Sequence, residues 1–149
     1  GRAEQQQGHF DRARSIFQQA TDKHCANNVH IWQAWAVLES KCGNVSRARE
    51  LFEAALSLDN HNAYVCHAWG LLEQRHGNFD LARKLYLTAF SKRPQAQVCV
   101  ALGEMEYQTG SIENARQVLE LGCEVCRSGV ADILVAWAAI EEQVAASAA

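Results

Sequence analysis

The chain has 149 residues, of which 48% are hydrophobic, with one Pro, nine Gly and six Cys. That is ample material for a continuous core, and no apolar run reaches the roughly 18 residues that a membrane-spanning helix needs. The formal net charge of −3 by itself points to neither a nucleic acid nor a membrane surface.

Hydrophobic spacing predicts helices over residues 10–23, 29–41, 46–58, 63–76, 80–91, 95–108, 112–126 and 130–144. Residues 1–7 read as the last turn of an earlier helix, with Gly8 at the turn and no signal or transit peptide. In the first complete pair, Ile31, Trp32, Trp35, Leu38 and Glu39 line one face of helix A. Gly43 ends that helix, because a left-handed residue is cheapest without a Cβ, and Asn44 is placed to cap helix B. Ala48, Leu51, Phe52, Ala55 and Leu56 then form the apolar face of helix B, and Asp59-Asn60 turns into the next pair. The second pair repeats the plan with Trp69, Leu72, Gly77, Asn78, Ala82, Leu85, Tyr86, Ala89 and Phe90, and Pro94 marks the following turn. The third uses Leu102, Tyr107, Gly110, Ser111 as cap, Ala115, Val118 and Leu119.

These elements are copies of one another. Trp35, Trp69, Leu102 and Trp137 fall 34, 33 and 35 residues apart, and an acid stands four residues behind each, at Glu39, Glu73, Glu106 and Glu141. Ala48-Arg49, Ala82-Arg83 and Ala115-Arg116 follow the glycines, and a partial earlier copy runs through Glu4, Gly8 and Ala13-Arg14. Such a period predicts an all-α fold, a right-handed α-solenoid of antiparallel helix pairs in which each pair buries its apolar face only against its neighbours. The repeats run over 1–23 (partial), 29–58, 63–92, 95–126 and 130–144 (partial), as one array. The array reads as part of a longer solenoid, since neither end carries a polar cap.

Cys66 and Cys99 occupy the slot that Trp32 fills in the preceding copy and are packing residues. Cys123-x-x-Cys126 lacks a second ligand pair, so neither a metal nor a cofactor is expected, and reduced thiols in an intracellular compartment are the default. The recurrent acid of helix A and Arg of helix B (Glu39, Arg49, Glu73, Arg83, Glu106, Arg116) repeat with the fold unit. They are read as partly buried ion pairs holding the unit together, not as contacts to a ligand.

The strings WQAWAVLESKCGNVSRARELFEAAL and HAWGLLEQRHGNFDLARKLYLTAF resemble half-a-tetratricopeptide (HAT) repeats. That pattern has an aromatic and a Glu on helix A, a Gly-Asn turn, and Ala-Arg before an apolar-aromatic pair on helix B. Residues 29–92 match it well, whereas in 95–126 Leu102 replaces the aromatic and Ser111 the Asn. Ordinary tetratricopeptide repeats share Gly77-Asn78-Phe79-Asp80, Ala89 and Pro94, and the repeated Glu is what favours HAT. The resemblance implies an RNA-processing factor. The runs at 32–39 and 47–52 look most like the chloroplast members, which bind a single-stranded segment of a transcript leader, shield it from exonucleases and help translation. It also implies self-association, and a chloroplast location with the nucleus as the alternative.

In this architecture helix A lines the inner wall, and its face opposite the apolar stripe is where recognition is expected. His30, Gln33 and Lys41, then Tyr64, His67, Gln74 and Arg75, are the candidate contacts. Tyr64 and the imidazoles can stack on bases, Gln33, Gln74 and Arg75 can hydrogen-bond base edges, and Lys41 and Arg75 can neutralise phosphates. Residues 1–93 hold 12 basic residues against 9 acids, and residues 94–149 hold 2 against 8. The two halves are thus suited to different partners. The helix A faces of the last two copies, with Glu104, Asp132 and Glu142 and no Lys or Arg, are expected to repel a phosphate chain and to suit a basic peptide better. Two functions remain: an RNA-stability factor that captures unpaired RNA, or a scaffold for proteins of an RNA-processing, ribosomal or other assembly complex. Catalysis is not expected, since no phosphate loop, nucleophile elbow or metal-binding helix motif is present.

Overall fold

The computed structural model describes residues 2–148, without the side chains of Ala3 and Glu4, so the acid assigned to the first partial copy lies outside the described residues. The regular structure among the described residues is eight helices: α1 (Arg2–Lys23), α2 (Val29–Lys41), α3 (Val45–Leu58), α4 (Ala63–Arg75), α5 (Phe79–Lys92), α6 (Ala96–Gln108), α7 (Ile112–Val125) and α8 (Val130–Ala148). The interior elements start and end within about a residue of their predicted bounds. The outer two are longer. Gly8 sits inside α1 instead of at a turn. No capping residue follows it, and one Gly among Gln5, Gln6 and Gln7 costs only about 1 kcal/mol, too little to break a helix. At the other end Ala145, Ala146 and Ala148 carry α8 past its predicted stop, as strong helix formers do.

The chain divides into two compact units, Gly1–Trp69 and Gly70–Ala149. In the first, helix B of one repeat delivers an aromatic ring onto the Trp of the next helix A. Phe17 stacks on Trp35 at 6.3 Å between centroids, and Phe52 stacks on Trp69 at 5.9 Å. Trp32 and the Arg47 guanidinium cover other parts of the Trp35 ring. In the second unit α6 packs against α5, α7 and α8. A helix A that touches the preceding helix B, its own helix B and the next helix A is what stacking of pairs requires. The residue after each Trp slot is small for the same reason. A Cβ on Gly70 would stand 2.7 Å from the Tyr86 ring, and one on Gly103 would stand 2.8 Å from Leu119.

Glu39, Glu73 and Glu106 are buried, at 3%, 0% and 2% exposure, so each carboxylate depends on its partners. Arg14 donates through Nε to Glu39, Arg83 to Glu106 at 2.5 Å, and Arg116 to Glu141 at 2.7 and 3.0 Å. These contacts join the helix B of one repeat to the helix A of the next, and so they tie repeats together where the sequence suggested a bond within each repeat. The Arg116 guanidinium, hydrogen-bonded to Glu141, holds that carboxyl below its ordinary value.

The Gly-Asn turn supplies the second partner. Asn44 and Asn78 make no side-chain cap to α3 and α5, contrary to expectation. Instead their Nδ2 groups donate to Glu39 and Glu73, each at 2.9 Å. Ser111 makes no side-chain cap either, and the amide that reaches Glu106 comes from Asn114 at 3.2 Å. A buried carboxylate left short of donors costs more than an open helix end that water can reach, so the amides turn inward. Gly43, Gly77 and Gly110, at φ of 85°, 79° and 89°, let the chain reverse so that the next backbone N–H bonds the carbonyl of that same Glu.

Arg83→Ala should lower the unfolding free energy by about 3 kcal/mol, the low end for a broken buried pair, because the Arg83 side chain keeps 33% of its surface in solvent. Arg83→Met combined with Glu106→Leu should recover most of that loss in urea titrations. A double variant less stable than the single one would contradict the assignment.

Candidate functional site

The α2 and α4 N-termini are built alike. Asn28 accepts from the Ile31 N–H at 3.3 Å and Asn62 from the Val65 N–H at 3.1 Å, so both helices open on a side-chain cap. Trp32 Nε1 donates to the Ala26 carbonyl at 2.8 Å and folds the preceding loop back over α2. His61 adopts φ of 64° in the turn before α4, and Asn62 Nδ2 holds Asp59 at 2.8 Å. The two starts flank a cleft of about 640 Å³, lined by Asn27, Asn28, Val29, His30, Gln33, Asn62 and Tyr64.

The structure thus brings together three of the predicted contacts. Tyr64 is 48% exposed, a large fraction for an aromatic, and it lines the cleft together with His30. Gln33 is half-buried and reaches the Tyr64 carbonyl only at 3.4 Å, a long bond that a ligand can displace. A flat ring, an imidazole and primary amides around one cavity suit a planar heterocycle with donors and acceptors on its edge.

The other predicted residues lie elsewhere. Lys41 is exposed at the C-terminal end of α2, eight residues beyond Gln33. His67 is half-buried one turn along α4 from Tyr64, and burial pushes its imidazole below the ordinary value of 6.5. It is therefore neutral at pH 7 and offers a ring and a hydrogen bond, not a charge. Gln74 already accepts from the Tyr86 hydroxyl at 2.6 Å and meets Gln108 at 3.4 Å, so its carbonyl belongs to the packing. Arg75 is exposed in the last turn of α4.

Asn27, Asn28 and Asn62 were not singled out from the sequence, although an Asn just before an apolar helical stripe is a recognisable cap signal. The six cysteines are free thiols. Cys99 and Cys126 lie in the core between α6, α7 and α8, and burial pushes the Cys99 thiol up to about 12. Among the described residues no group of His, Cys, Asp or Glu is placed to hold a metal, and no helix is long and apolar enough to cross a membrane.

A family model described as the pre-mRNA-splicing factor Syf1/CRNKL1 C-terminal HAT repeat matches residues 3–143. The chain is 44% identical over 148 residues to the chloroplastic PsbB mRNA maturation factor Mbb1 of Chlamydomonas reinhardtii, covering 91% of this chain and 22% of that protein. It is 42% identical over 59 residues to Protein high chlorophyll fluorescent 107 of Arabidopsis thaliana, covering 40% of this chain and 9% of that one. The chain thus spans under a quarter of the length of either relative. Among solved structures it resembles pilF of Pseudomonas aeruginosa, with a TM-score of 0.76 at 19% identity over 95% of this chain and 64% of that one. It also resembles MamA MSR-1, with a TM-score of 0.66 at 21% identity over 94% and 80% of the two chains. At such identity these likenesses establish the fold class alone, an α-solenoid of helix pairs.

In an NMR titration the His67 imidazole should show a midpoint below 6.5. A midpoint at or above that value would mean that the ring is open to water or faces an acid.

Proposed function

This chain belongs to the HAT-repeat family, and from that premise we propose that it binds single-stranded RNA through helix A side chains and shields the strand during transcript maturation. The observation that carries the reading is its 44% identity, over 91% of its length, to a protein named as an mRNA maturation factor. The contacts we assign are His30, Gln33 and Lys41 on α2 and Tyr64, His67, Arg75 and the amide nitrogen of Gln74 on α4, the Gln74 carbonyl being held by Tyr86. The cleft at His30, Gln33 and Tyr64 supplies the means, because a base can stack on the phenol while the amides read its edge. Lys41 and Arg75 add positive charge for the backbone. The action is passive: occupancy blocks nucleases and keeps the strand from pairing with itself. The chain is read as a binding protein and not as a catalyst. The compartment is the chloroplast stroma, since the algal relative is chloroplastic by name.

The balance of 2 basic residues against 8 acids over residues 94–149 favours a second reading, a scaffold that also holds a basic protein segment of the same processing complex. A stoichiometric partner retained in nuclease-treated extract would support it.

Tyr64→Ala should weaken binding of single-stranded RNA by about 1–3 kcal/mol, the usual worth of one stacked base. Arg75→Ala should make log K fall less steeply with log salt, by about 0.7 for a single lost phosphate contact. Undiminished affinity in the combined variant, with an unchanged melting temperature, would remove these residues from the binding site.

A further inference from the structure

The acidic end of the chain contains a second cleft, which the helix A lining does not explain. It has a volume of about 770 Å³ and lies between the turn that precedes α6 and the turn that precedes α8. Gly129 brings the two turns together. Its φ is +78°, and a Cβ there would stand 2.6 Å from the Ala96 Cβ, so no other residue permits this approach. Arg93 and Arg127 stand on the two turns at the same repeat position, 34 residues apart, and both line the cleft.

The charges around Arg127 are informative. Residues 94–149 contain only two basic side chains, Arg116 and Arg127. Arg116 is engaged by Glu141 at 2.7 Å and by Glu113 at 3.0 Å. Arg127 is exposed and meets no acid in an ion pair among the described residues. A segment so poor in cations has placed its one uncommitted guanidinium in a cavity opposite another. Asp132 also lines this cleft. It lies in the first turn of α8, where the helix dipole and free N–H groups compensate a carboxylate. The cleft therefore sets the Arg127 guanidinium opposite Arg93, with Gln95, Gln97 and Ser128 as neutral donors and one helix-bound carboxylate.

We propose that this cleft binds a phosphate of the single-stranded RNA, giving the acidic half of the chain a backbone contact of its own. The planar guanidinium fork matches phosphate oxygens, and the neutral donors can complete the anion's coordination. The inference rests on the RNA reading above and assigns no base recognition to this cleft. It places a phosphate contact in the half whose helix A lining is expected to repel a phosphate chain.

The test uses the full chain and a labelled, mixed-sequence single-stranded RNA, with affinity measured across a salt series. Arg127→Gln should make the slope of log K against log salt shallower by about 0.7, and adding Arg93→Gln by about 1.4 in total. Arg127→Lys should keep the wild-type slope, because it keeps the charge. RNA binding with an unchanged slope in both Gln variants would overturn this proposal and leave the RNA reading intact. A Lys variant that behaves like Gln would also overturn it. A wild-type chain that does not bind RNA would overturn both.

Discussion

A carboxylate placed between packed helices must find donors in the protein, because water cannot reach it. That requirement governs this chain. Glu39 takes an arginine from the helix B before it and an amide from the turn after it. Glu106 takes Arg83 from the helix B before it and the Asn114 amide from the first turn of α7. The arginine comes from one repeat and the carboxylate from the next, so the pair sets how one helix pair seats on its neighbour. Apolar contacts would tolerate sliding; a buried charge with directional partners does not. The stacked rings of Phe17 on Trp35 and Phe52 on Trp69 add apolar contact between repeats, and the carboxylates fix the register.

This regular chemistry leaves the other face of helix A free to vary. Position by position, the packing slots repeat as Trp, small residue and Glu. The outward slots hold His30 and Gln33 in one copy and Tyr64 and His67 in the next. The Asn caps at 28 and 62 present those side chains at the helix starts, where the loops leave a cleft. Burial keeps His67 neutral, so positive charge near the helix A lining comes from the exposed Lys41 and Arg75 at the ends of their helices. An aromatic with little charge at one cleft and two arginines at another suit the proposed division between reading bases and holding backbone.

Most of the helices were legible because apolar spacing and glycine turns repeat at one period. Three features were not. The side chains of Asn44 and Asn78 look like caps, since Asn before a helix usually is one, but their amides answer a carboxylate five residues earlier that becomes buried only on packing. Gly8 fits the repeat ruler yet stays helical, because one Gly among helix-compatible glutamines costs only about 1 kcal/mol and the ruler does not weigh that cost. The second cleft was hidden because its arginines lie in the turns, outside the helix A positions that the period singles out, and because Gly129 brings them together only in three dimensions. Of the candidate site, Tyr64, His30 and Gln33 were legible as one face of consecutive helices; the structural commitment of Gln74 to Tyr86 was not.

The claim at the centre of this account is that repeated positions build the stack and the unrepeated helix A lining recognises RNA. Photo-crosslinking of 4-thiouridine-labelled single-stranded RNA, followed by peptide mass spectrometry, tests it most directly. Crosslinks should concentrate on the segments carrying His30 to Gln33 and Tyr64 to His67. Crosslinks confined to the exposed outer faces of α3 and α5, or none at all, would contradict it.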